Sequence, residues 1–176
     1  SAIVNEFGRS MELETDFVVE ANNVRRFAEN FALDPNIKVP KVYGEYTGRR
    51  VLVLEALNGI PLSQTGALRQ EGIDPDEVLR RGLRAYMQMV YSDGLFHGDL
   101  HAGNVLLMPG NQLGLIDFGV VGRLNRKTQS AIANMFLALA EEDYDRLAYL
   151  YVDLAPFTDR VDVDQFARDI RDLIAP

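Results

Sequence analysis

The sequence of 176 residues contains no cysteine. A disulfide framework and a thiolate metal site are therefore excluded, and the composition is compatible with the reducing cytoplasm. No apolar run reaches the roughly 18 residues of a membrane-spanning helix, and no secretory signal is recognisable. Positive charge is also scarce, with 18 Lys and Arg against 26 Asp and Glu and a formal net charge of −8. Because a general nucleic-acid binder needs a basic face, nucleic acid is not an expected partner.

The length suits one domain or a divided, two-lobed one, and the apolar content of 47% suffices for a sizeable core. Ser1 and Ala2 resemble residues left by an expression tag, and the residues after them do not look like the start of a protein. We therefore expect the sequence to be a fragment of a longer chain.

What the sequence does contain is a set of polar residues between positions 96 and 119. Asp99 lies five residues before Asn104, as in the kinase catalytic-loop pattern His-x-Asp-x-x-x-x-Asn. Asp117 follows an apolar run and opens an Asp-Phe-Gly triplet. Phosphoryl transfer uses a carboxylate beside the nucleophile, and an Asn and an Asp that bind divalent metal ions. We therefore predict Asp99 and Asn104 as catalytic residues, and Asn104 and Asp117 as ligands of Mg²⁺ beside ATP.

Each piece also has a simpler explanation. Asp99 could cap a turn of its own backbone, Asn104 could be a turn residue before a strand, and the triplet could end a strand by chance. The common order and spacing of the pieces favours the functional interpretation over this coincidence.

Hydrophobic periodicity predicts an amphipathic helix over residues 11–31. Two extended segments, 38–46 and 50–55, follow it and predict a β-hairpin. The connector 55–62 then has the position of a hinge in a two-lobed nucleotide enzyme. We expect backbone groups of Glu55 and Leu57 to pair with an adenine edge there, with an ordinary loop as the alternative.

A second helix is predicted from residue 74 to 93. Asp74 is its expected N-cap, Pro75 its first residue and Glu77 the partner in a capping box, while Gly94 ends it. Its expected buried face consists of apolar residues at helical spacing: Val78, Leu79, Leu83, Tyr86, Met87 and Val90.

Residues 105–108 and 113–116 predict a hairpin that holds Asn104 and Asp117 at neighbouring ends. Three further helices are predicted over residues 126–141, 144–153 and 162–174. Asn125 is the expected cap of the first of them, and its expected buried stripe is Ile132, Met135, Phe136 and Leu139.

Together these motifs resemble the UbiB/AarF-related atypical kinase-like family, which is tied to ubiquinone metabolism. Residues 14–16, Glu-Thr-Asp, followed by Glu20 are similar to the family's Glu-x-Asp motif and to the glutamate of its αC helix. Residues 51–55 and 59–62 resemble its hinge region, and residues 116–124 resemble its metal-binding segment. The resemblance covers nearly the whole chain.

The chain also departs from the family pattern. Its loop has Gly98 and Leu100 where the family often has Ala and Pro, which makes the loop more like that of small-molecule kinases. The family's phosphate loop, its Val-Ala-x-Lys strand and its Lys-x-Gly-Gln motif do not occur, and we expect them upstream of residue 1. The resemblance implies an α+β, truncated protein-kinase-like fold, with residues 1–58 as an N-lobe remnant (αC helix, two strands and hinge) and residues 59–176 as a mainly helical C-lobe.

The resemblance also places five residues around the nucleotide: Glu20, Glu55, Leu57, His97 and His101. Glu20 would pair with the absent lysine. His97 would be a scaffold residue that packs under the loop and hydrogen-bonds backbone near Asp117, in preference to a catalytic role. His101 would contact a phosphate or cover the site, and the sequence leaves both roles open.

The implied function is that of an ATP-binding, Mg²⁺-dependent kinase or ATPase of the UbiB type, linked to quinone or lipid metabolism. The expected partners are the nucleotide, a lipid or quinone precursor, a membrane surface and the missing N-terminal part of the chain, and the expected location is cytoplasmic, peripheral to the inner membrane. The short segment after Gly119 disfavours a protein substrate, and this fragment alone is expected to be inactive. A small-molecule kinase of the aminoglycoside or choline type and a non-catalytic pseudokinase are the alternatives.

Overall fold

The computed structural model describes residues 16–64, 73–155 and 161–174. The chain divides into two compact units, Ser1–Arg123 and Leu124–Pro176. Helices and strands both occur in the described residues, which confirms the predicted α+β class. The lobe boundary predicted near residue 58 falls inside the first unit and stays a prediction.

Helix α1 spans Phe17–Asn30. Asp16 starts it, because the Asp16 side chain accepts a hydrogen bond from the Val18 backbone N–H at 3.0 Å and so caps a free amide of the first turn. The part of the predicted helix before residue 16 lies outside the described residues. The buried face of α1 consists of Ala21, Asn23, Val24 and Phe27. One polar residue, Asn23, therefore lies on an otherwise apolar face.

A four-stranded sheet supports the candidate site. Its strands, in order across the sheet, are β1 (Ile37–Lys38), β5 (Gln112–Leu115), β4 (Val105–Met108) and β2 (Ile60–Pro61). β4 and β5 form the predicted antiparallel hairpin, and the chain reverses between them through Gly110 and Asn111, which have positive φ angles of 74° and 58°. β2 is antiparallel to β4, whereas β1 is parallel to β5.

The hairpin predicted from residues 38–46 and 50–55 forms only in part. Val42 pairs with Leu54 in an antiparallel bridge, but Gly44–Tyr46 form a 3₁₀ turn instead of an extended strand. β1 pairs with β5 instead of joining this hairpin. That pairing leaves Ile37 only 5% exposed. Burial of such a side chain stabilises the fold more than one additional residue pair in an exposed hairpin would.

Helix α2 spans Pro75–Met87. Asp74 caps it as predicted, since its side chain accepts hydrogen bonds from the backbone N–H groups of Asp76 and Glu77. The predicted capping box does not form, because the Glu77 carboxylate pairs with Arg80 and Arg81 at 3.1 and 2.7 Å.

The end of α2 differs from the prediction. Residues Gln88–Asp93 form a π-helical turn before Gly94 ends the helix with φ of 62°. The wider turn rotates the following residues relative to a regular helix, and Met89 is fully buried. Leu79 and Leu83, predicted to be buried, are 70% and 54% exposed. They line an open groove instead.

A second, two-stranded sheet pairs β3 (Leu95–His97) with β6 (Val121–Arg123) in antiparallel order. The sequence did not predict these strands, because each has only three residues. Gly122 lies opposite Phe96, and a Cβ atom at position 122 would overlap the Phe96 ring. This sheet joins the segment before the catalytic loop to the segment after the triplet.

The described part of the second unit contains the predicted helices α3 (Arg126–Ala140), α4 (Tyr144–Leu154) and α5 (Val163–Ile174). Asn125 caps α3 as predicted, accepting from the Thr128 N–H at 2.9 Å. The stripe predicted for α3 is partly wrong: Met135 is buried, but Phe136 and Leu139 are 52% and 36% exposed. The inward positions of α3 are occupied by Met135 and the fully buried Ala138, so Phe136 and Leu139 stay partly exposed.

Within residues 16–64, 73–155 and 161–174, none of the helices combines the length and apolar character that a bilayer crossing requires.

Candidate functional site

The loop between β3 and β4 carries Asp99 and Asn104. The Gly98 N–H donates to the Val120 carbonyl at 2.9 Å, and the Asn104 N–H donates to the His101 carbonyl at 2.9 Å. An ideal Cβ at position 98 would come within 2.8 Å of Val120 Cγ1, so glycine permits this close approach. The loop is thus held at one end by the segment after the triplet and at the other by its own backbone.

Asn104 is buried, with 6% exposure. Its Nδ2 donates to the Asp99 carbonyl at 3.1 Å, which fixes the orientation of the side-chain amide. Among the described residues no group donates to its Oδ1. Because amide oxygens are good ligands for hard cations, this arrangement leaves a metal-binding atom available in a fixed position.

Asp117 lies directly after the β4–β5 hairpin. The Ile116 N–H donates to the Asn104 carbonyl at 3.0 Å. Asp117 is the next residue after Ile116, so this hydrogen bond brings the two predicted metal ligands, Asn104 and Asp117, close together. Asp117 has a left-handed φ of 60°, which is uncommon for a residue other than glycine. Its Oδ1 accepts from the Gly119 N–H at 3.2 Å, and its exposed side chain retains a second oxygen for a ligand.

His97 lies under this arrangement and is 2% exposed. The Asp99 N–H donates to its Nδ1 at 3.2 Å, so a neutral imidazole carries its proton on Nε2, which faces the Ile116 carbonyl at 3.4 Å. Its ring contacts the rings of Phe27 and Phe118. His97 is thus buried beneath the loop with a backbone contact next to Asp117, and its scaffold role stays a prediction.

Helix α1 contacts the triplet through two side chains. Glu20 Oε1 accepts from the Phe118 N–H at 3.2 Å, and Asn23 Nδ2 donates to the Phe118 carbonyl at 3.0 Å. Burial raises the pKa of the Glu20 carboxyl, the Phe118 N–H opposes this rise, and the negative charge of Asp117 adds to it. Glu20 has no cationic partner among the described residues, so this pair of carboxylates would gain from a bound cation.

Asn23 was not among the residues predicted from the sequence. The signal was present, since a polar residue occupies a buried position of an amphipathic helix whose other inward residues are apolar. Its partner is 95 residues away in the sequence, and no local pattern predicts such a contact.

Asp99 and His101 lie on the exposed side of the loop, and both side chains are 59% exposed. His101 Nε2 is 3.9 Å from an Asp99 carboxylate oxygen, too far for a direct hydrogen bond. The Gly103 N–H donates to His101 Nδ1 at 3.0 Å. Asp99 therefore keeps its carboxylate free for an acceptor, and His101 stands beside it.

Glu55 and Leu57 lie in the connector before β2, apart from the acidic residues. The Glu55 N–H donates to the Lys41 carbonyl at 2.8 Å, so of its backbone groups the carbonyl is the one left for a base. The Glu55 side chain pairs with Lys38 at 2.9 Å, and the hydrogen bond from Lys38 lowers the pKa of Glu55. Among the described residues no group pairs with the Leu57 N–H. A carbonyl and an N–H two residues apart remain available, as pairing with an adenine edge requires.

The donor set suits Mg²⁺. Within the described residues, no three His, Cys, Asp or Glu side chains cluster closely enough to hold a metal by themselves. Asp117 and Asn104 instead offer one carboxylate and one amide oxygen. Mg²⁺ is usually held by one or two carboxylates together with waters and substrate phosphates, so this site fits a metal that arrives with a nucleotide. The binding roles of all these residues stay predictions.

An apolar groove lies next to the catalytic loop, with a volume of about 740 Å³. One wall is the loop itself, through Leu100, His101 and Ala102, and the opposite wall is α2 with the exposed Leu79 and Leu83. The groove therefore begins one residue from Asp99.

Comparisons with known proteins identify relatives. The family model described as the ABC1 atypical kinase-like domain matches residues 1–151. The probable protein kinase UbiB of Histophilus somni is 31% identical over 99% of this chain and 33% of its own length. The chloroplastic Arabidopsis thaliana protein ACTIVITY OF BC1 COMPLEX KINASE 1 is 37% identical over 83% of this chain and 21% of its own. This chain thus spans a third or less of these two relatives.

Among solved structures, the erythromycin complex of Rv3197 from Mycobacterium tuberculosis superposes with a TM-score of 0.68 and 26% identity. The match covers 98% of this chain and 43% of Rv3197. The predicted kinase-like fold and the predicted family are confirmed by these matches.

Proposed function

Because the chain belongs to the ABC1 atypical kinase-like family, we propose that it forms the Mg²⁺- and ATP-binding part of a UbiB-type kinase or ATPase. One observation carries the proposal. Asn104, with its amide fixed on the Asp99 carbonyl, is joined by a backbone hydrogen bond to the residue before Asp117. Phosphoryl transfer uses a carboxylate beside the nucleophile and an Asn and an Asp that bind the metal. Asp99, Asn104 and Asp117 provide these three groups.

In this mechanism ATP would supply the phosphoryl group, and Mg²⁺ would neutralise the charge of the phosphates. Asp117 and Asn104 would hold the metal through their free side-chain oxygens. Asp99 would accept the proton of an acceptor hydroxyl or of a water, which its exposure permits. The carbonyl of Glu55 and the N–H of Leu57 would hold the adenine edge, and Glu20 would pair with a lysine supplied by a segment upstream of this chain.

The acceptor is proposed to be apolar. β6 begins two residues after Gly119 and is paired with β3, so no long segment is available there to dock a peptide. The groove beside Leu100 and His101 would accommodate the hydrocarbon part of a lipid or quinone precursor while its polar end reaches Asp99. Association with the surface of the inner membrane follows from the same proposal. If the groove has no occupant, hydrolysis of ATP by water is the remaining reaction.

The proposal is tested by calorimetric titration of ATP, with and without Mg²⁺, into this chain and into a longer protein that carries it. We expect the longer protein to bind ATP more tightly with Mg²⁺ than without it, and Asp117→Asn to lose this gain. Asp145→Asn is a matched control, because that carboxylate is 81% exposed and lies 3.9 Å from Arg171. A longer protein that binds no ATP would end the enzyme proposal and favour a pseudokinase. A gain with Mg²⁺ that survives Asp117→Asn would overturn the site.

The acceptor is tested separately by Mg²⁺-dependent ATP hydrolysis with and without phospholipid vesicles, and by phosphoryl transfer to aminoglycosides and choline. Stimulation by vesicles supports the apolar acceptor. Transfer to an aminoglycoside or to choline would contradict the apolar acceptor. It would favour the small-molecule kinase that the loop residues Gly98 and Leu100 suggest.

A further inference from the structure

Helix α1 holds both polar backbone groups of Phe118. Glu20 accepts from the Phe118 N–H at 3.2 Å, and Asn23 donates to the Phe118 carbonyl at 3.0 Å. The two side chains are three residues apart and therefore lie on the same face of the helix. A single helix thus fixes the peptide groups on both sides of the Phe118 α-carbon.

The backbone before Asp117 is fixed as well. The Ile116 N–H donates to the Asn104 carbonyl at 3.0 Å, and the Ile116 carbonyl faces His97 Nε2 at 3.4 Å. Between these fixed groups Asp117 has a φ of 60°. An L-residue leaves this left-handed region readily unless its surroundings hold it there. The conformation of Asp117 therefore depends on the contacts of its neighbours.

Asn23 is 6% exposed. Burial of an amide is unfavourable unless it forms hydrogen bonds, and leucine of similar size would suit an apolar face better. The amide of Asn23 bonds a residue 95 positions away and not its own helix. Glu20 carries a charge that a lysine or a metal could use directly, whereas the neutral Asn23 donates only to the triplet backbone.

We infer that Asn23 is a positioning residue, whose side-chain amide holds the Phe118 peptide and thereby keeps Asp117 in the left-handed conformation that binds Mg²⁺. The inference rests on the proposed function, because it assigns Asn23 to the metal site of that function. Asn23 touches neither metal nor nucleotide. Its removal should weaken metal binding and leave the adenine contacts of the connector unchanged.

The test uses the longer, ATP-binding protein with Asn23→Leu, which keeps the size of the side chain and removes its donor. Asn22→Leu is the matched control, because Asn22 is exposed and its side chain only accepts a local hydrogen bond from Arg25 at 2.9 Å. Two quantities are measured: the affinity for ATP without metal, and the Mg²⁺ concentration that gives half-maximal ATP binding.

Asn23→Leu should raise that Mg²⁺ concentration by about tenfold, since a buried acceptor loses its partner, and should leave metal-free ATP affinity within about twofold. Asn22→Leu should change neither quantity. If Asn23→Leu and Asn22→Leu need the same Mg²⁺ concentration for half-maximal ATP binding, the inference is overturned. An equal loss of ATP affinity with and without metal also overturns it, because a merely structural role would produce that result.

Hydrogen exchange of this 176-residue chain supplies a readout that needs no nucleotide. Asn23→Leu should speed exchange at the Phe118 and Gly119 amides relative to Asn22→Leu, while the β4 and β5 amides keep their protection. If the longer protein binds no ATP, the proposed function fails and this measurement alone decides the positioning role. Unchanged exchange at both amides overturns it. If Asn23→Leu does not fold, Asn23→Ala removes the same donor without adding charge or bulk, and the same outcomes apply.

Discussion

Asn104→Asp separates the structural part of Asn104 from its metal-binding part. The substitution keeps the shape of the side chain and replaces the Nδ2 donor with a carboxylate oxygen. That oxygen would face the Asp99 carbonyl, which Nδ2 now approaches to 3.1 Å. The side chain is only 6% exposed, so water cannot replace the lost bond.

The magnitude follows from this geometry. A buried acceptor left without its donor costs about 1–3 kcal/mol, and the cost is larger where a charged group is involved. The free energy of opening of the first unit should therefore fall by about 2–4 kcal/mol without metal, a large fraction of the stability of a typical domain. Added Mg²⁺ should restore about 1.4 kcal/mol at ten times its Kd, because the variant offers a second carboxylate beside Asp117.

Native-state hydrogen exchange at the β4 and β5 amides is the suitable assay, because the chain has two compact units and these amides report the opening of the first unit. Asn111→Asp is the control. It makes the same chemical change at the other end of the hairpin, where the residue is half-buried and has a φ of 58° that aspartate tolerates. An equal loss in the two variants without Mg²⁺ would refute the role of the Asn104 amide. No gain on adding Mg²⁺ would refute the expectation that a second carboxylate beside Asp117 binds the metal without a nucleotide.

Two further predictions concern stability alone. Gly122→Ala should lower the free energy of unfolding by about 1–3 kcal/mol, because its methyl group would overlap the Phe96 ring. Gly48→Ala, with no atom within 4 Å of the new Cβ, should stay within about 0.5 kcal/mol of the parent in the same urea titration; equal effects would contradict the packing of Phe96. Burial raises the pKa of Asp93 above its ordinary value of 3.8, and its Oδ2 is buried without a partner in the described residues. The contribution of Asp93 to stability is thus complete below pH 3.8 and is lost as the pH rises through the raised pKa, so Asp93→Asn should gain stability relative to the parent as the pH rises above 3.8. A difference that is constant across pH in urea unfolding would show that Asp93 titrates normally.

Local sequence patterns predicted the β4–β5 hairpin and two of the helix caps, which depend on local structure. Asn104 and Asp117 are joined through a hairpin, and the capping roles of Asp74 and Asn125 act within three residues. Such contacts depend on spacing and side-chain type, which a single sequence displays directly.

Contacts between distant segments were not predictable in this way. Asn23 meets Phe118 across 95 residues, and β1 pairs with β5 although Lys38 and Gly114 belong to separate predicted elements. Leu79 and Leu83 have the spacing of a buried face but lie in a groove. Periodicity gives the side of a helix that is apolar, and only the tertiary arrangement decides what covers it.

The pairing of β6 with β3 has a consequence for regulation. Many protein kinases are switched by phosphorylation of a loop after the Asp-Phe-Gly triplet, which becomes ordered when it gains charge. Here Val121 already pairs with His97, two residues after Gly119. A switch of that kind would have only Val120 to act upon between the triplet and this pairing.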